Sequence, residues 1–213
     1  MAPFLLTPPD GPPFPFDAGA PCLELLLSGG GEDRRGYGEA LHAPRDLVHW
    51  CARGSLDLAG HGVDPAEVTA TTADLTMARR LREAVRHSGV RASRGDRPDP
   101  EDLAVINQIA AGRGVVAQVD PDTGRLVWRR PVTGHQLLVH LARDAVATFS
   151  TPTVSRVRRC AGPGCGLLYL DTSRPGRRRW CSMRRCGNRN KTSGYRSRRA
   201  ATSDGPPERA GAD

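Results

Sequence analysis

The sequence is poor in the features that mark membrane and secreted proteins. No run approaches the ~18 apolar residues that a membrane-spanning helix requires. The opening segment MAPFLLTPPDGPPFPFDAG lacks the basic start and the uninterrupted apolar stretch of a secretory signal, and its prolines exclude a helix. We therefore expect a cytoplasmic protein, whose cysteines stay reduced or bind metal instead of forming disulfides.

Recognisable catalytic motifs are also missing from the chain. It has no P-loop, no dinucleotide-binding fingerprint, no nucleophile elbow and no paired carboxylates. Its six histidines form no HExxH or equivalent pair. The sequence predicts a protein that is not an enzyme. An enzymatic N-terminal domain stays open as an alternative, because the absence of a motif from one sequence excludes little.

Acidic residues are nearly absent from the C-terminal part of the chain. Residues 156–199 contain 14 Lys and Arg against the single acid Asp171, a local balance of +13. The whole chain has 31 basic and 23 acidic residues, so the remainder carries 17 basic and 22 acidic residues, a balance of −5. Clustered cations of this kind favour nucleic acid as a partner.

The segments rich in proline and glycine lie toward the ends of the chain, so the packed core is expected in its middle. Residues 1–21 contain seven prolines and are predicted to form an extended, poorly ordered arm, which is expected to cover the core at Phe14 and Phe16. Residues 22–150 are predicted to form a regulatory or dimerisation domain. The predicted linker is 151–159, a small metal-binding module occupies 160–199, and a disordered tail follows over 200–213.

The predicted fold class is α+β and mainly α, with one β-hairpin in the N-terminal domain. Apolar residues recur at helical spacing in several segments, and start signals such as Asp64-Pro65 and Asp99-Pro100 precede helices. Thr133 and Gln136 predict a capping box. The hairpin is predicted from apolar runs at 114–119 and 125–130 around five turn residues. Helices are predicted over 44–53, from 64, over 72–88 with a stop at Gly89, from 99 and from 133.

Four of the six cysteines follow the pattern C-x4-C-x15-C-x4-C. Two such pairs suit a tetrahedral zinc site with Zn–S distances of about 2.3 Å. Reduced buried cysteines or a disulfide framework are the alternatives. The surrounding segment has too few apolar residues for a core of its own, so metal must supply folding energy. The predicted ligands are Cys160, Cys165, Cys181 and Cys186.

Four sulfur ligands leave no open position on the metal, which argues against zinc catalysis. The other two cysteines, Cys22 and Cys51, lack metal-ligand spacing. Each is interpreted as a small buried hydrophobic residue. The predicted cofactor is therefore a structural Zn²⁺.

The segment CAGPGCGLLYLDTSRPGRRRWCSMRRCGNRNKTSGYRSRR resembles the CGNR zinc finger, named for residues 186–189. The match covers about forty residues and departs from the expected pattern at Asn190. The region before it is similar to the ABATE domain that usually precedes this finger. That second resemblance rests on residues 46–50 (DLVHW) and 81–84 (LREA).

The resemblance implies a transcriptional regulator whose finger contacts DNA. Arginine suits this role, because its planar fork grips a phosphate or a guanine edge. A helix is expected to leave the zinc site and carry several of the cations. The predicted DNA-binding residues are Arg177, Arg178, Arg179, Arg184, Arg185, Arg189, Lys191, Arg196, Arg198 and Arg199.

A second set of residues is predicted to support the metal site rather than DNA. It comprises Asp171, Ser173, Trp180 and Asn188. Asn188 and Arg189 adjoin the last ligand, so donation to its sulfur and direct base contact are both open for them. A basic run can also be a solvated tail.

The predicted function is a zinc-dependent DNA-binding regulator associated with the nucleoid, with double-stranded DNA as its partner. The N-terminal domain is expected to sense a small-molecule effector or to form a homodimer, since one finger offers few base contacts. The alternative is an RNA- or ribosome-associated zinc protein, because phosphate affinity does not separate the two nucleic acids.

Overall fold

A computed structural model describes residues 4–8, 11–29 and 38–190 of the chain. It confirms a mainly helical fold with small two-stranded sheets. The helices are α1 (Pro21–Glu24), α2 (Pro44–Arg53), α3 (Thr72–Ser93), α4 (Pro100–Ala110) and α5 (Gly134–Phe149). The strands are β1 (Phe4–Leu6), β2 (Phe14–Phe16), β3 (Ala117–Val119), β4 (Leu126–Trp128), β5 (Val157–Arg159) and β6 (Leu168–Leu170). None of the helices within the described residues is long and apolar enough to cross a membrane.

Side-chain caps fix where the main helices begin. The Thr133 hydroxyl accepts from the Gln136 N–H at 3.3 Å, and the Gln136 side chain accepts from the Thr133 N–H at 2.9 Å, which confirms the predicted capping box. Thr71 and Asp74 form the same arrangement at the start of α3. These bonds satisfy backbone donors that the first helical turn leaves unpaired.

Helix α3 is longer than predicted. The predicted stop at Gly89 is wrong, since α3 continues to Ser93. A Cβ atom on Gly89 would lie 2.9 Å from Cδ1 of Leu168 in β6. This glycine therefore serves close packing between the helix and a strand, and the low helix propensity of glycine is overridden by tertiary contact.

The Pro-rich arm is more ordered than predicted over its described residues. Strands β1 and β2 pair antiparallel, with Phe4 opposite Phe16 and Leu6 opposite Phe14. All four side chains are buried, and the prediction that Phe14 and Phe16 cover the core is confirmed. Alternating apolar residues give this hairpin a buried face despite the prolines around it.

The predicted hairpin in the helical domain is confirmed as β3 and β4. The turn residues between them bond to the Asp120 side chain, including the Thr123 N–H at 2.8 Å. Trp128 of β4 is buried, stacked on His61 with ring centroids 4.5 Å apart.

The segment predicted as a linker, residues 151–159, is folded as part of the C-terminal module. Residues Thr153–Arg156 form a 3-10 turn, and β5 then pairs antiparallel with β6. Val157 and Tyr169 are fully buried in the same apolar cluster as α3 and α5. The C-terminal module is therefore docked on the helical body through this two-stranded sheet.

A candidate metal centre with a cationic surface

The four predicted ligands lie together. The sulfur atoms of Cys160, Cys165, Cys181 and Cys186 are all within 4.8 Å of one another. The Cys165–Cys181 and Cys181–Cys186 sulfur distances are 3.8 Å and 3.5 Å. A tetrahedral site with Zn–S bonds of about 2.3 Å has sulfurs about 3.8 Å apart, so the cluster fits zinc.

Backbone donors surround the first sulfur. The N–H groups of Gly162 and Cys181 lie 3.4 Å and 3.2 Å from Sγ of Cys160 and donate to it. Such bonds favour the thiolate form that a metal requires. A Cβ on Gly162 would lie 2.7 Å from Sγ of Cys186, so the turn between the first two ligands needs a glycine at this position.

The four thiols interact strongly with one another because their sulfurs lie so close together. Hydrogen bonds from the thiols of Cys165 and Cys181, aided by backbone N–H groups, lower the pKa of Cys160. The pKa of Cys181 is raised by its close contacts with the sulfurs of Cys160 and Cys165 and by burial. Four sulfurs this close repel one another once ionised. A divalent cation at their centre removes that conflict, and the residues bind zinc as a closed structural site.

Asp171 organises the loop before the second ligand pair. Its carboxylate accepts from the N–H and hydroxyl of Ser173 at 3.0 Å and 2.5 Å, and from the N–H of Arg178 at 2.8 Å. Burial raises the pKa of Asp171, but these hydrogen bonds outweigh burial and the net pKa is lowered. The predicted supporting role of Asp171 and Ser173 thus takes the form of loop bonds rather than contact with sulfur.

Arg178 is among the predicted DNA contacts, but its guanidinium is used inside the module. It lies over the Tyr169 ring at 4.1 Å and donates to the carbonyl oxygens of Trp180 at 3.0 Å and Cys181 at 2.7 Å. The Tyr169 hydroxyl returns a bond to the Arg178 carbonyl at 2.8 Å. Burial raises the pKa of Tyr169 to about 12, so it stays a donor. This arginine stabilises the fold around the cysteines.

Arg185 is also turned toward the protein. Its guanidinium lies 4.9 Å from the centre of the Phe14 ring in β2. The neighbouring Arg178 lies 6.0 Å from the Phe16 ring of the same strand. The N-terminal arm therefore packs on two arginines of the module. These arginines are more than 150 residues away from the arm in sequence, so sequence patterns did not predict the contact.

Other predicted DNA-binding cations point outward. Arg177, Arg179 and Arg184 are exposed, as is Arg189 in the helical residues after the last ligand. Arg179 lies 5.2 Å from the centre of the half-buried Trp180 ring. Arg177 and Arg179 line an open groove of about 600 Å³, whose other walls include Asp17 of the arm and the exposed Met183. The structure thus presents a cationic surface beside the metal centre.

The remaining predicted residues differ in where they lie. Trp180 packs against the apolar cluster, whereas the side chain of Asn188 is exposed. A π turn at Met183–Gly187 carries Cys186, and the chain is helical over 188–190, as the expected helix leaving the site requires. Lys191, Arg196, Arg198 and Arg199 lie outside the described residues.

Sequence reasoning missed two contributors to the module. Arg156 donates to the carbonyl oxygens of Asp171 and Ser173, both at 3.0 Å, and so ties the 3-10 turn to the loop. Gly187 lies where a Cβ would be 2.8 Å from the sulfur of Met183. Gly162 and Gly187 lie close to the cysteines in sequence, and this could have predicted tight packing there. Nothing in the sequence distinguishes Arg156 from the arginines around it.

The helical domain and the C-terminal module each match the model of a known family. The ABATE family model, described as "Putative stress-induced transcription regulator", matches residues 19–152. The CGNR zinc finger model matches residues 156–199. No curated protein matches the chain.

Proposed function

Because the chain belongs to the ABATE family and carries a CGNR zinc finger after the ABATE domain, we propose that it is a DNA-binding transcriptional regulator. The finger contacts double-stranded DNA, and zinc holds it in the shape that does so. The ABATE domain supplies regulation, by binding a small-molecule effector or by pairing two copies of the chain.

The observation that carries this proposal is the division of labour among the arginines of the finger. Arg178 and Arg185 lie over aromatic rings and hold the fold together. Arg177, Arg179 and Arg184 are exposed beside them. The single acid of residues 156–199, Asp171, is buried and hydrogen-bonded within its own loop, and Asp17 of the arm is the one acid among the residues that line the groove, so the exposed arginines outnumber the acids there. A surface of this kind attracts phosphate.

Arginine and apolar groups together suit a duplex. Arg177 and Arg179 flank the groove that Met183 also lines. Guanidinium groups bind phosphates or guanine edges, whereas an apolar side chain can contact the thymine methyl group. Over the part of the finger that the structure describes, aromatic platforms for stacking single-stranded bases are scarce, because Tyr169 is buried and Trp180 is half-buried with Arg179 over its ring. These features favour duplex DNA over single-stranded RNA.

The docking of the finger supports a regulatory link between the domains. Leu168 of β6 packs against Gly89 of α3, and the N–H of Leu170 donates to the carbonyl of Ala18 at 2.8 Å. A change in the helical body is therefore transmitted to the finger through packed side chains and backbone bonds. This is the route by which an effector bound to the ABATE domain would alter DNA binding.

Selection of bound sequences from a random duplex pool tests the function. The intact protein is expected to recover one motif, and a Cys165→Ser protein is expected to recover none. Binding to single-stranded RNA at least as tight as to duplex DNA, at one salt concentration, would instead support the RNA-associated alternative.

The salt dependence of binding tests which arginines contact phosphate. Replacing Arg177, Arg179 and Arg184 with Gln is expected to weaken duplex binding and to lower the slope of log K against log salt by about 0.9 for each phosphate that is no longer bound. The matched control replaces Arg45, Arg80 and Arg125 of the body with Gln, which removes the same charge from exposed positions. Equal slopes for the two triple variants would contradict the proposed DNA-binding surface.

A further inference from the structure

We propose that strand β3 is the interface through which two copies of this chain pair, edge to edge and antiparallel. The inference gives a location to the dimer named in the proposed function. Its test uses no DNA, so its failure would leave the proposed DNA contact standing.

The backbone of β3 has one open edge. Asp120 donates its N–H to the Arg125 carbonyl, and Arg129 donates to the Val116 carbonyl, both at 2.8 Å. Because bonded and non-bonded pairs alternate in an antiparallel ladder, the N–H and C=O groups of Ala117 and Val119 point away from β4. Among the described residues no backbone bond reaches them from that side. Residues 116–119 are all exposed.

The hairpin also carries an apolar face that extends past the body. Ala117, Val119, Leu126 and Trp128 share one face, because Ala117 lies opposite Trp128 and Val119 lies opposite Leu126. The Trp128 end is buried on His61 and His140. At the other end Val119 is 71% exposed and Leu126 is 53% exposed. Pairing two hairpins at their β3 edges makes this face continuous across four strands.

The charges beside β3 favour a second copy over an unrelated partner. Arg113 precedes the strand, and Asp120 and Asp122 follow it. Antiparallel pairing brings the start of one strand beside the end of the other. Arg113 of each copy then lies near the acidic turn of its partner, at both ends of the interface. The edge is thus complementary to itself, as a two-fold contact requires.

The geometry also favours an assembly of two chains. The Trp128 N–H donates to the His61 carbonyl at 3.0 Å, so the body of the same chain occupies the outer side of β4 at Trp128. Pairing at β3 consumes the fully open edge of this hairpin and leaves a third copy only the short stretch of β4 at Leu126. The predicted product is a discrete dimer, in which each copy contributes one finger.

Sedimentation equilibrium of the zinc-loaded full chain, over a concentration series, tests this interface. The protein is expected to reach twice its chain mass of 22.9 kDa. Val119→Arg is expected to reduce the mass to that of one chain, because it places like charges across the interface. Leu5→Arg, an equally drastic change at an exposed position of β1, is expected to leave the dimer intact.

A second variant separates loss of pairing from loss of fold. Val119→Pro removes the outward N–H while sparing the bonds between β3 and β4, because Val119 donates none to β4. It is expected to be monomeric with unchanged circular dichroism and zinc content. A native chain that stays monomeric at every concentration, assemblies larger than two chains, or variants at Val119 that remain dimeric would each overturn the proposal.

Discussion

The helical body and the zinc finger are held together by different forces, although they share one apolar cluster. The body buries leucine, isoleucine, valine and phenylalanine on α3, α4 and α5. The finger instead relies on four cysteines, a buried aspartate and arginines stacked on aromatic rings. In an apolar core, the stabilising free energy is spread over many buried side chains. In a metal centre, most of it comes from a few metal–ligand bonds.

The two regions are therefore vulnerable in different ways. Substitutions in the body act through burial and ion pairing, and the loss of stability is graded. Substitutions at the metal act through the loss of one ligand, which removes most of the folding energy of the finger at once. The two regions meet at β5 and β6, which belong to the finger in sequence but pack on α3.

The largest effect is expected from Cys181→Ser. Structural zinc in small fingers supplies roughly 10 kcal/mol or more of binding free energy, so loss of a ligand should unfold the segments around the cysteines, residues 160–166 and 176–190, while β6 and the body stay folded. Hydrogen exchange read by mass spectrometry measures protection in the two regions, and metal analysis measures zinc.

The matched control for that variant is Cys51→Ser in α2. Cys51 is equally buried but is no ligand, and burial raises the pKa of its thiol to about 12. This variant is expected to cost about 1–3 kcal/mol for a buried hydroxyl and to retain full zinc. If both serine variants lost zinc equally, the distinction between the two regions would fail.

A smaller effect is expected from Glu39→Gln in the body. Glu39 accepts from the buried Arg82 at 2.8 Å and 2.6 Å, and these bonds lower the pKa of Glu39 to about 2. Breaking the pair leaves Arg82 without its main anion and should cost about 3 kcal/mol at neutral pH. Zinc content should not change, since the side chain of Arg82 bonds to Ser28, Glu39 and Glu83 of the body and to none of the metal-binding cysteines.

The pH dependence of the Glu39 variant checks the same pair. Because the folded pKa is depressed, the stabilisation is present above the ordinary value of 4.5 and is lost as pH falls toward about 2. The difference in unfolding free energy between Glu39→Gln and the native chain should therefore shrink over that range. Urea unfolding at neutral and acid pH measures it, and a constant difference would show that the carboxylate charge is irrelevant.

The smallest effect is expected where the two regions touch. Gly89→Leu would place atoms against Leu168 and should cost about 2 kcal/mol through overpacking. The double variant with Leu168→Ala should lose less than the sum of the two single changes, because the smaller residue makes room. Denaturant unfolding of the four proteins gives the coupling. Additive losses would mean that the body and the finger are not packed as described.

Sequence patterns predicted the fold where each signal was local. Pro44–Arg53 forms the predicted helix, and the Thr133 capping box and the hairpin around Asp120 are present as expected. The four cysteines converge as their spacing indicated. Each of these features depends on residues close together in the chain.

Features that depend on packing between distant segments were not predictable in the same way. Gly89 resembles a helix stop because its partner, Leu168, lies 79 residues further along the chain. The arm resembles an unstructured segment because its prolines hide four alternating apolar residues. Arg178 and Arg185 resemble DNA contacts because composition does not reveal which cations stack on Tyr169 and Phe14.

The central claim is that zinc gives the cationic surface its shape, and duplex-DNA binding by one protein sample tests it most directly. Binding is measured with zinc bound, after chelation, and after zinc is restored. Chelation is expected to abolish the tight, salt-dependent binding, and added zinc is expected to restore it. A chelated protein that binds the same duplex with unchanged affinity and unchanged salt slope would contradict the claim.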